Sequence, residues 1–159
     1  MNQHKSAVDR PWKRKFLGMT VSFRQDVKLK VALESVRRFK DKTRELTQRT
    51  RGISLKRMIE ELTVYMKGWA GYFRIAEIKT TFQELDKWIR RRLRCMLWKQ
   101  WGRRGYRELR NRGIDRELAW NTCKSAHGPW RLSHSPAIEK ALTVSFFDNM
   151  GLPQLRNLA

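Results

Sequence analysis

Acidic residues are scarce in this chain of 159 residues. Its 15 Asp and Glu stand against 36 Lys and Arg, which gives a net charge of +21 and an isoelectric point near 11.1. So large an excess of one sign destabilises a compact chain unless an anionic partner screens it. The commonest such partner is the phosphate backbone of a nucleic acid, so nucleic-acid binding is the first functional hypothesis.

Long apolar runs are also missing. The longest stretch without charge is Phe16 to Phe23, eight residues, which is too short to span a bilayer. The N-terminus has basic residues but no apolar stretch of signal-peptide length behind them, so we expect a protein that is not exported, cytoplasmic in a bacterial or organellar setting. We expect no membrane partner.

Cysteine and histidine are few and do not form a metal-binding pattern. Cys95 and Cys123 make no Cys-x-x-Cys pair, and the three histidines make no His-Glu-x-x-His helix. We therefore expect no metal and no cofactor. Cys95 lies in a helical pattern, where a small buried or half-buried thiol is the expected role.

Catalytic motifs are absent as well. The six aspartates are isolated from one another in sequence, so no adjacent pair is suited to holding two metal ions for phosphoryl transfer. No P-loop or Gly-x-Ser-x-Gly motif occurs. With 40% hydrophobic residues and seven Trp, the chain is too apolar for a disordered basic tail. The residues by themselves predict a folded binding protein.

The periodicity predicts a mainly α fold, a helical bundle with a short N-terminal β-hairpin or extended arm. It divides the chain into a flexible basic N-terminus (1–15), an extended segment (16–30) that reverses near 24–26, a helical domain (31–124) and a C-terminal helical extension (125–159). Gly128 and Pro129 interrupt the helical pattern and so place the boundary between the helical domain and the C-terminal extension.

The first predicted helix begins at Val31 and ends before Gly52, and the second is capped by Ser54. The first predicted helix has one face directed at the core, which is formed by Leu33, Val36, Phe39, Thr43, Leu46 and Thr47. The second helix is the cleanest amphipathic segment, with apolar positions Leu55, Met58, Ile59, Leu62, Tyr65, Met66, Trp69 and Phe73.

Capping and turn residues predict where the later helices begin and end. A capping box at 81–84 starts the third helix, which runs to about Trp101. A short helix over 103–112 is closed by Gly113, and Asp115 caps another that ends near residue 124. A last helix begins at Ser135 and Pro136 and is stopped by Gly151.

The third helix and the segment after it carry the strongest functional signal. A helical projection places Phe82, Leu85, Ile89, Leu93 and Met96 on the core face. On the opposite face and beyond it, cations and indoles alternate in a pattern typical of nucleic-acid binding: Lys87, Arg90, Arg91, Arg94, Trp98, Lys99, Trp101, Arg103, Arg104, Arg107, Arg110 and Arg112. We predict that the guanidinium groups bind phosphates and that the two indoles are candidates for stacking on bases. For either tryptophan alone, packing against a neighbouring helix is the more common role.

A charge run is more often a solvated helix face than a binding site. The segment from Trp88 to Arg112, however, contains ten basic residues and only one acidic residue, Glu108. It therefore lacks the carboxylates at i,i+4 spacing that stabilise an ordinary exposed helix. Phosphate neutralisation explains this run better. The cations of the first helix, in contrast, alternate with acids and are expected to form an ordinary salt-bridged surface: Arg37, Arg38, Lys42 and Arg44.

Six ordered sequence blocks resemble a known family. They are Phe16-Leu17-Gly18-Met19, Gly68-Trp69-x-Gly71-Tyr72-Phe73, Leu85-Asp86-x-Trp88-Ile89-Arg90-x-Arg92-Leu93-Arg94, Trp98-Lys99-Gln100-Trp101, Gly128-x-Trp130-Arg131-Leu132-Ser133 and Gly151-Leu152. In this order they resemble the C-terminal part of group II intron reverse transcriptase/maturase proteins, covering the end of the palm, the thumb and the maturase-specific region.

The resemblance implies a helical thumb-like bundle whose basic face holds structured intron RNA so that the RNA can splice. It also implies target DNA as a partner of the region after the thumb, from about Gly105 onward. The family's Tyr-x-Asp-Asp polymerase motif would lie before Phe16, where this chain has 15 residues, and no C-terminal Cys/His endonuclease cluster occurs. We therefore expect a truncated RNA-binding maturase fragment without catalysis of its own.

Two alternatives stay open at this point. The chain could form half of a split reverse transcriptase, active only with a separate chain that carries the palm. It could instead be a non-functional remnant, whose apolar surface would promote aggregation.

Overall fold

A computed structural model describes residues 10, 12, 14–22 and 27–159 and shows a mainly α protein with a short hairpin, as predicted. Strand β1 (Met19–Val21) pairs antiparallel with β2 (Leu29–Val31), and Met19 lies opposite Val31. The predicted reversal near 24–26 lies outside the described residues. Gly18 precedes β1 at φ +77°, and a Cβ there would lie 2.8 Å from Oγ of Ser35, so the hairpin can dock closely on the first helix.

Helix α1 (Leu33–Leu46) is shorter than predicted, because a single 3₁₀ turn at Arg49–Arg51 and Gly52 at φ +66° follow it. Its buried positions include Ser35, Phe39 and Thr43, which repeat every four residues. Leu33 was predicted to face inward and is 76% exposed. It lies about 200° around the helix from Ser35, on the side opposite the core.

Helix α2 (Leu55–Phe73) confirms the prediction. Oγ of Ser54 accepts a hydrogen bond from N–H of Arg57 at 3.2 Å and so caps the first turn. The predicted apolar face is buried at Met58, Ile59, Leu62, Met66 and Phe73.

Helix α3 (Thr80–Trp101) is the longest in the described part of the chain and has the predicted core face, with Phe82, Leu85, Ile89, Leu93 and Met96 all buried. The predicted capping box does not form. The helix begins one residue early, after Lys79, so Thr81 is the second residue of the first turn and no side chain caps it.

The chain after α3 forms six short helices. They are α4 (Gly105–Asn111), α5 (Arg116–Lys124), α6 (Pro129–Leu132), α7 (Pro136–Ala141), α8 (Val144–Asn149) and α9 (Leu155–Leu158). Gly113 ends α4 at φ +77°, and Asp115 caps α5 by accepting from two backbone N–H groups at 2.9 and 3.3 Å, both as predicted.

The single last helix of the sequence prediction is two helices. Leu142 leaves the helical conformation at φ −123° and ψ 72°, and the hydroxyl of Thr143 then caps α8 by accepting from N–H of Phe146 at 3.2 Å. Leu142 is fully buried, so packing stabilises this break where no glycine or proline marks it.

One buried cluster joins the hairpin, α1 to α3 and the later helices. No helix in residues 27–159 or in the shorter described stretches is long and apolar enough to cross a membrane.

Asp86 joins α3 to the last described helix. Its two carboxylate oxygens accept from N–H of Leu155 at 2.9 Å and from N–H of Arg156 at 3.2 Å, so a side chain of α3 caps α9. Asp86 is 6% exposed, and burial raises the pKa of its carboxyl, against the effect of the two N–H groups.

Replacing Asp86 with Ala is expected to lower the free energy of unfolding by about 2 kcal/mol, because two backbone N–H groups lose their acceptor. Urea unfolding followed by circular dichroism measures this. Asp41→Ala, which removes an exposed carboxylate of α1, is the matched control and should stay within about 0.5 kcal/mol. Equal stability of the two variants would show that Asp86 does not hold α9.

Candidate nucleic-acid interface

Two of the arginines predicted to face solvent are buried. Arg90 is 6% exposed, and its Nη2 lies 3.6 Å from Oδ1 of Asp148 on α8. Arg94 is 9% exposed, and its Nε donates to the carbonyl of Leu142 at 2.9 Å. The prediction that both lie on the exposed side of α3 is therefore wrong, because α7 and α8 cover that side.

Arg94 also forms an ion pair with Glu139 of α7, at 3.4 Å from Nη1 to Oε1. Burial lowers the pKa of Arg94, and the Glu139 carboxylate acts in the opposite direction. A guanidinium stays charged at any physiological pH, so this is a charge held inside the protein by one carboxylate and one carbonyl. Its position favours a structural role over phosphate contact.

The two indoles predicted to stack on bases pack within the protein. Trp101 is 7% exposed, and the Arg112 guanidinium lies 4.6 Å from its ring centroid. Trp98 meets Trp101 edge to face at 6.1 Å, and a Cβ at Gly105 would lie 3.0 Å from the Trp98 ring. This placement favours a packing role for both indoles over the predicted stacking role.

The five arginines of the predicted site that follow α3 fall into two groups. Arg110 donates to the carbonyl of Ile114 at 2.6 Å, and Arg112 pairs with Glu108 at 2.7 Å. The Arg112 hydrogen bond lowers the pKa of Glu108. The other three predicted site arginines after α3 are exposed and form no hydrogen bond or ion pair within the described residues, although Arg104 and Arg107 lie close enough to Glu108 to help lower its pKa: Arg103, Arg104 and Arg107.

Four cations follow one side of α3, and we call them the α3 stripe: Lys87, Arg91, Arg92 and Lys99. Around the helix axis, Arg91 lies about 40°, Lys99 about 120° and Arg92 about 140° from Lys87, so the four cover an arc of less than half of the helix circumference. None of the four forms an ion pair with a carboxylate in the described part of the chain. Lys87 and Lys99 are exposed, while Arg91 and Arg92 are half-buried.

The two arginines of the α3 stripe are held by neutral groups. Arg91 donates from Nη2 to the carbonyl of Trp130 at 3.2 Å, and its guanidinium lies 4.3 Å from the centroid of that indole. Arg92 donates to the Thr47 hydroxyl and, from Nη2, to the carbonyl of Arg44 at 3.1 Å. Burial, with a smaller effect of Arg44, lowers the pKa of Arg92. These contacts hold both guanidinium groups in place but leave their positive charge without a carboxylate beside it.

Trp88, which the binding-site prediction left out, lies among cations of two helices. Its ring centroid is 5.6 Å from Nζ of Lys40, 5.5 Å from the guanidinium of Arg44 and 6.0 Å from that of Arg92. The indole face attracts these cations and lets them approach one another. Lys40 thus extends the α3 stripe onto α1, which the sequence could not show because the two residues are far apart in the chain.

The remaining cations of α1 were predicted to form an ordinary salt-bridged surface. Arg44 pairs with Asp41 at 2.5 Å and Lys42 with Glu45 at 2.8 Å, which confirms the prediction for these two residues. Arg38 donates to Oγ of Ser35 at 3.3 Å instead. Two of the five cations of α1 are therefore paired with carboxylates of the same helix, unlike those of the α3 stripe.

A groove of about 240 Å³ lies beside the α3 stripe, between the end of α1, the middle of α3 and the start of α6. We call it the α1–α3 groove, and its lining is Thr47, Gln48, Thr50, Arg92, Cys95, Met96, Lys99 and Trp130. It contains two cations and no carboxylate. Cys95 is half-buried, as predicted, and burial raises the pKa of its thiol. In the described part of the chain, no three His, Cys, Asp or Glu residues form a group that could hold a metal ion.

A comparison with models of known protein families gave a match over residues 36–113. The model of the group II intron maturase-specific domain matches this span, from the first turn of α1 to Gly113 at the end of α4. It therefore includes α3 and the whole α3 stripe. A comparison with curated proteins gave no match. The resemblance seen in the sequence blocks is thus confirmed over residues 36–113, which match the maturase-specific domain of group II intron proteins.

Proposed function

We propose that this chain binds structured group II intron RNA and assists its folding and splicing, without catalysis of its own. The observation that carries the proposal is the α3 stripe, a row of cations on one helix with no carboxylate partner in the described part of the chain. The maturase-specific match over the same helix supports group II intron RNA as the partner of this surface.

The chemistry of the surface suits phosphates. Seven cations on α3 and just after it have no ion pair within the described residues: Lys87, Arg91, Arg92, Lys99, Arg103, Arg104 and Arg107. The protein gives each of them little compensation for its charge, so a phosphate oxygen can replace water without first breaking a salt bridge. Arg90 and Arg94 are buried, and Arg112 is paired with Glu108, so these three are left out of the proposed interface.

The salt dependence of RNA binding tests the electrostatic part of this proposal. If about six phosphates are neutralised, the logarithm of the association constant should fall with the logarithm of salt concentration at a slope of roughly −4 to −5. Filter binding or fluorescence anisotropy with a group II intron domain measures the slope. A slope near zero would contradict the proposal.

A splicing assay tests the biological part. The cognate intron, at a magnesium concentration too low for self-splicing, should splice when this chain alone is added. A chain that binds the intron but leaves it unspliced would contradict assistance in splicing while leaving RNA binding in place.

A further inference from the structure

Trp130 presents an aromatic surface next to unpaired cations. Its side chain is 41% exposed, and the Arg91 guanidinium lies 4.3 Å from its ring centroid. Arg91 lines a second groove, on the α7 and α8 side of α3, whereas Trp130 lines the α1–α3 groove. The cation holds the indole in place while part of the ring stays open to a ligand.

The rest of the α1–α3 groove offers hydrogen-bonding groups that the protein does not use. Gln48 and Thr50 are exposed, and their side chains make no hydrogen bond within the described residues. Arg92 uses Nε and Nη2 for Thr47 and Arg44, which leaves Nη1 without a partner. Lys99 is exposed at the groove and is likewise without an ion pair in the described part of the chain.

These groups match the parts of one nucleotide. A ring such as Trp130 stacks on a base of any identity, an amide such as that of Gln48 can donate to and accept from the edge of a base, and two cations suit a phosphate. The groove volume of about 240 Å³ lies below the size at which pockets for drug-sized ligands begin, about 300 Å³. It therefore suits a single base rather than a longer segment.

We infer that the α1–α3 groove binds one unpaired nucleotide of the RNA, with its base on Trp130 and its phosphate between Arg92 and Lys99. This inference rests on the proposed RNA-binding function and adds a specificity to it. A base within a duplex is stacked and paired and cannot enter the groove. The protein should therefore prefer RNA that has a bulge or loop over RNA that is fully paired.

The test compares two RNA duplexes with equal numbers of phosphates, one blunt and one with a short unpaired bulge. The unaltered chain is expected to bind the bulged duplex about tenfold more tightly, in line with the usual contribution of one base stacked on an aromatic ring. Trp130→Ala should lose this preference by weakening binding of the bulged duplex alone. Trp130→Phe, which keeps a smaller ring, should retain part of it.

Trp120→Ala is the matched control, because Trp120 is also exposed and also lies against a cation, Lys124 at 4.5 Å, but on α5 and outside the groove. It should leave the preference unchanged. Circular dichroism checks the fold of each variant. If Trp130→Ala does not fold, Gln48→Ala replaces it, since this exposed residue can be truncated safely and is expected to reduce the preference about fivefold.

The outcomes separate the two proposals. Equal binding of the bulged and blunt duplexes by the unaltered chain, with a steep salt dependence for both, would overturn the nucleotide site and leave general RNA binding in place. A preference that survives in Trp130→Ala would also overturn the site. Failure to bind either RNA would overturn both proposals.

Discussion

Changing Arg94 to Glu is expected to lower the free energy of unfolding by about 4 kcal/mol, the range measured when one partner of a buried ion pair is removed. The new carboxylate would lie near Glu139 and the carbonyl of Leu142, which now accept from the guanidinium. Three negative or partly negative groups would then lie together, with the new carboxylate at a buried position and only Glu139 partly exposed to water. Urea unfolding followed by circular dichroism measures the loss.

The matched control is Lys87→Glu on the same helix. Lys87 is exposed, and its side chain has no partner in the described part of the chain, so the same reversal of charge should change stability by less than about 0.5 kcal/mol. If Arg94→Glu were as stable as Lys87→Glu, the side of α3 covered by α7 and α8 would have to be open to solvent.

Reversing three exposed cations should weaken RNA binding about a hundredfold at moderate salt. The variant is Lys87→Glu, Lys99→Glu and Arg103→Glu, three positions without a side-chain partner in the described residues. Three phosphate contacts are lost and three repulsive charges replace them, so the salt slope should also become shallower by about 2. Fluorescence anisotropy over a salt series gives both numbers.

The control for this variant carries the same change in net charge on another helix. Lys56→Glu and Lys67→Glu alter exposed positions of α2, and Arg74→Glu alters the exposed residue that follows it. Long-range repulsion is screened within about 10 Å at ordinary ionic strength, so this triple variant should bind less than about fivefold more weakly. Equal losses in the two triple variants would mean that net charge, and not the α3 stripe, determines binding.

Local signals in the sequence predicted much of the fold. Ser54 and Asp115 cap the helices that they precede, and Gly113 takes the left-handed conformation that ends a helix. Such signals act within a few residues, where backbone hydrogen bonding decides the outcome. The break at Leu142 was missed because burial of a leucine causes it, and no turn residue marks it in the sequence.

The candidate site was predictable only in part. A helical projection gives the direction of each side chain of α3, and it placed Lys87 and Arg91 on the face opposite the core, together with Arg90 and Arg94. It cannot show which side a later helix covers, so Arg90 and Arg94 were assigned to solvent when α7 and α8 bury them. Lys40 and Trp130 were missed for the same reason, since their contacts with α3 join residues about forty or more positions apart.

The hydrogen bonds from Leu155 and Arg156 to Asp86 span 69 and 70 residues of chain. During synthesis on the ribosome, the middle helix therefore emerges long before the segment that satisfies its buried carboxylate. Until residues 155 and 156 leave the exit tunnel, Asp86 has only water to bind, and the neighbouring apolar side chains stay uncovered. The interior around α3 is therefore complete only after residues 155 and 156 have emerged, so this region buries its carboxylate about 70 residues later than it makes it.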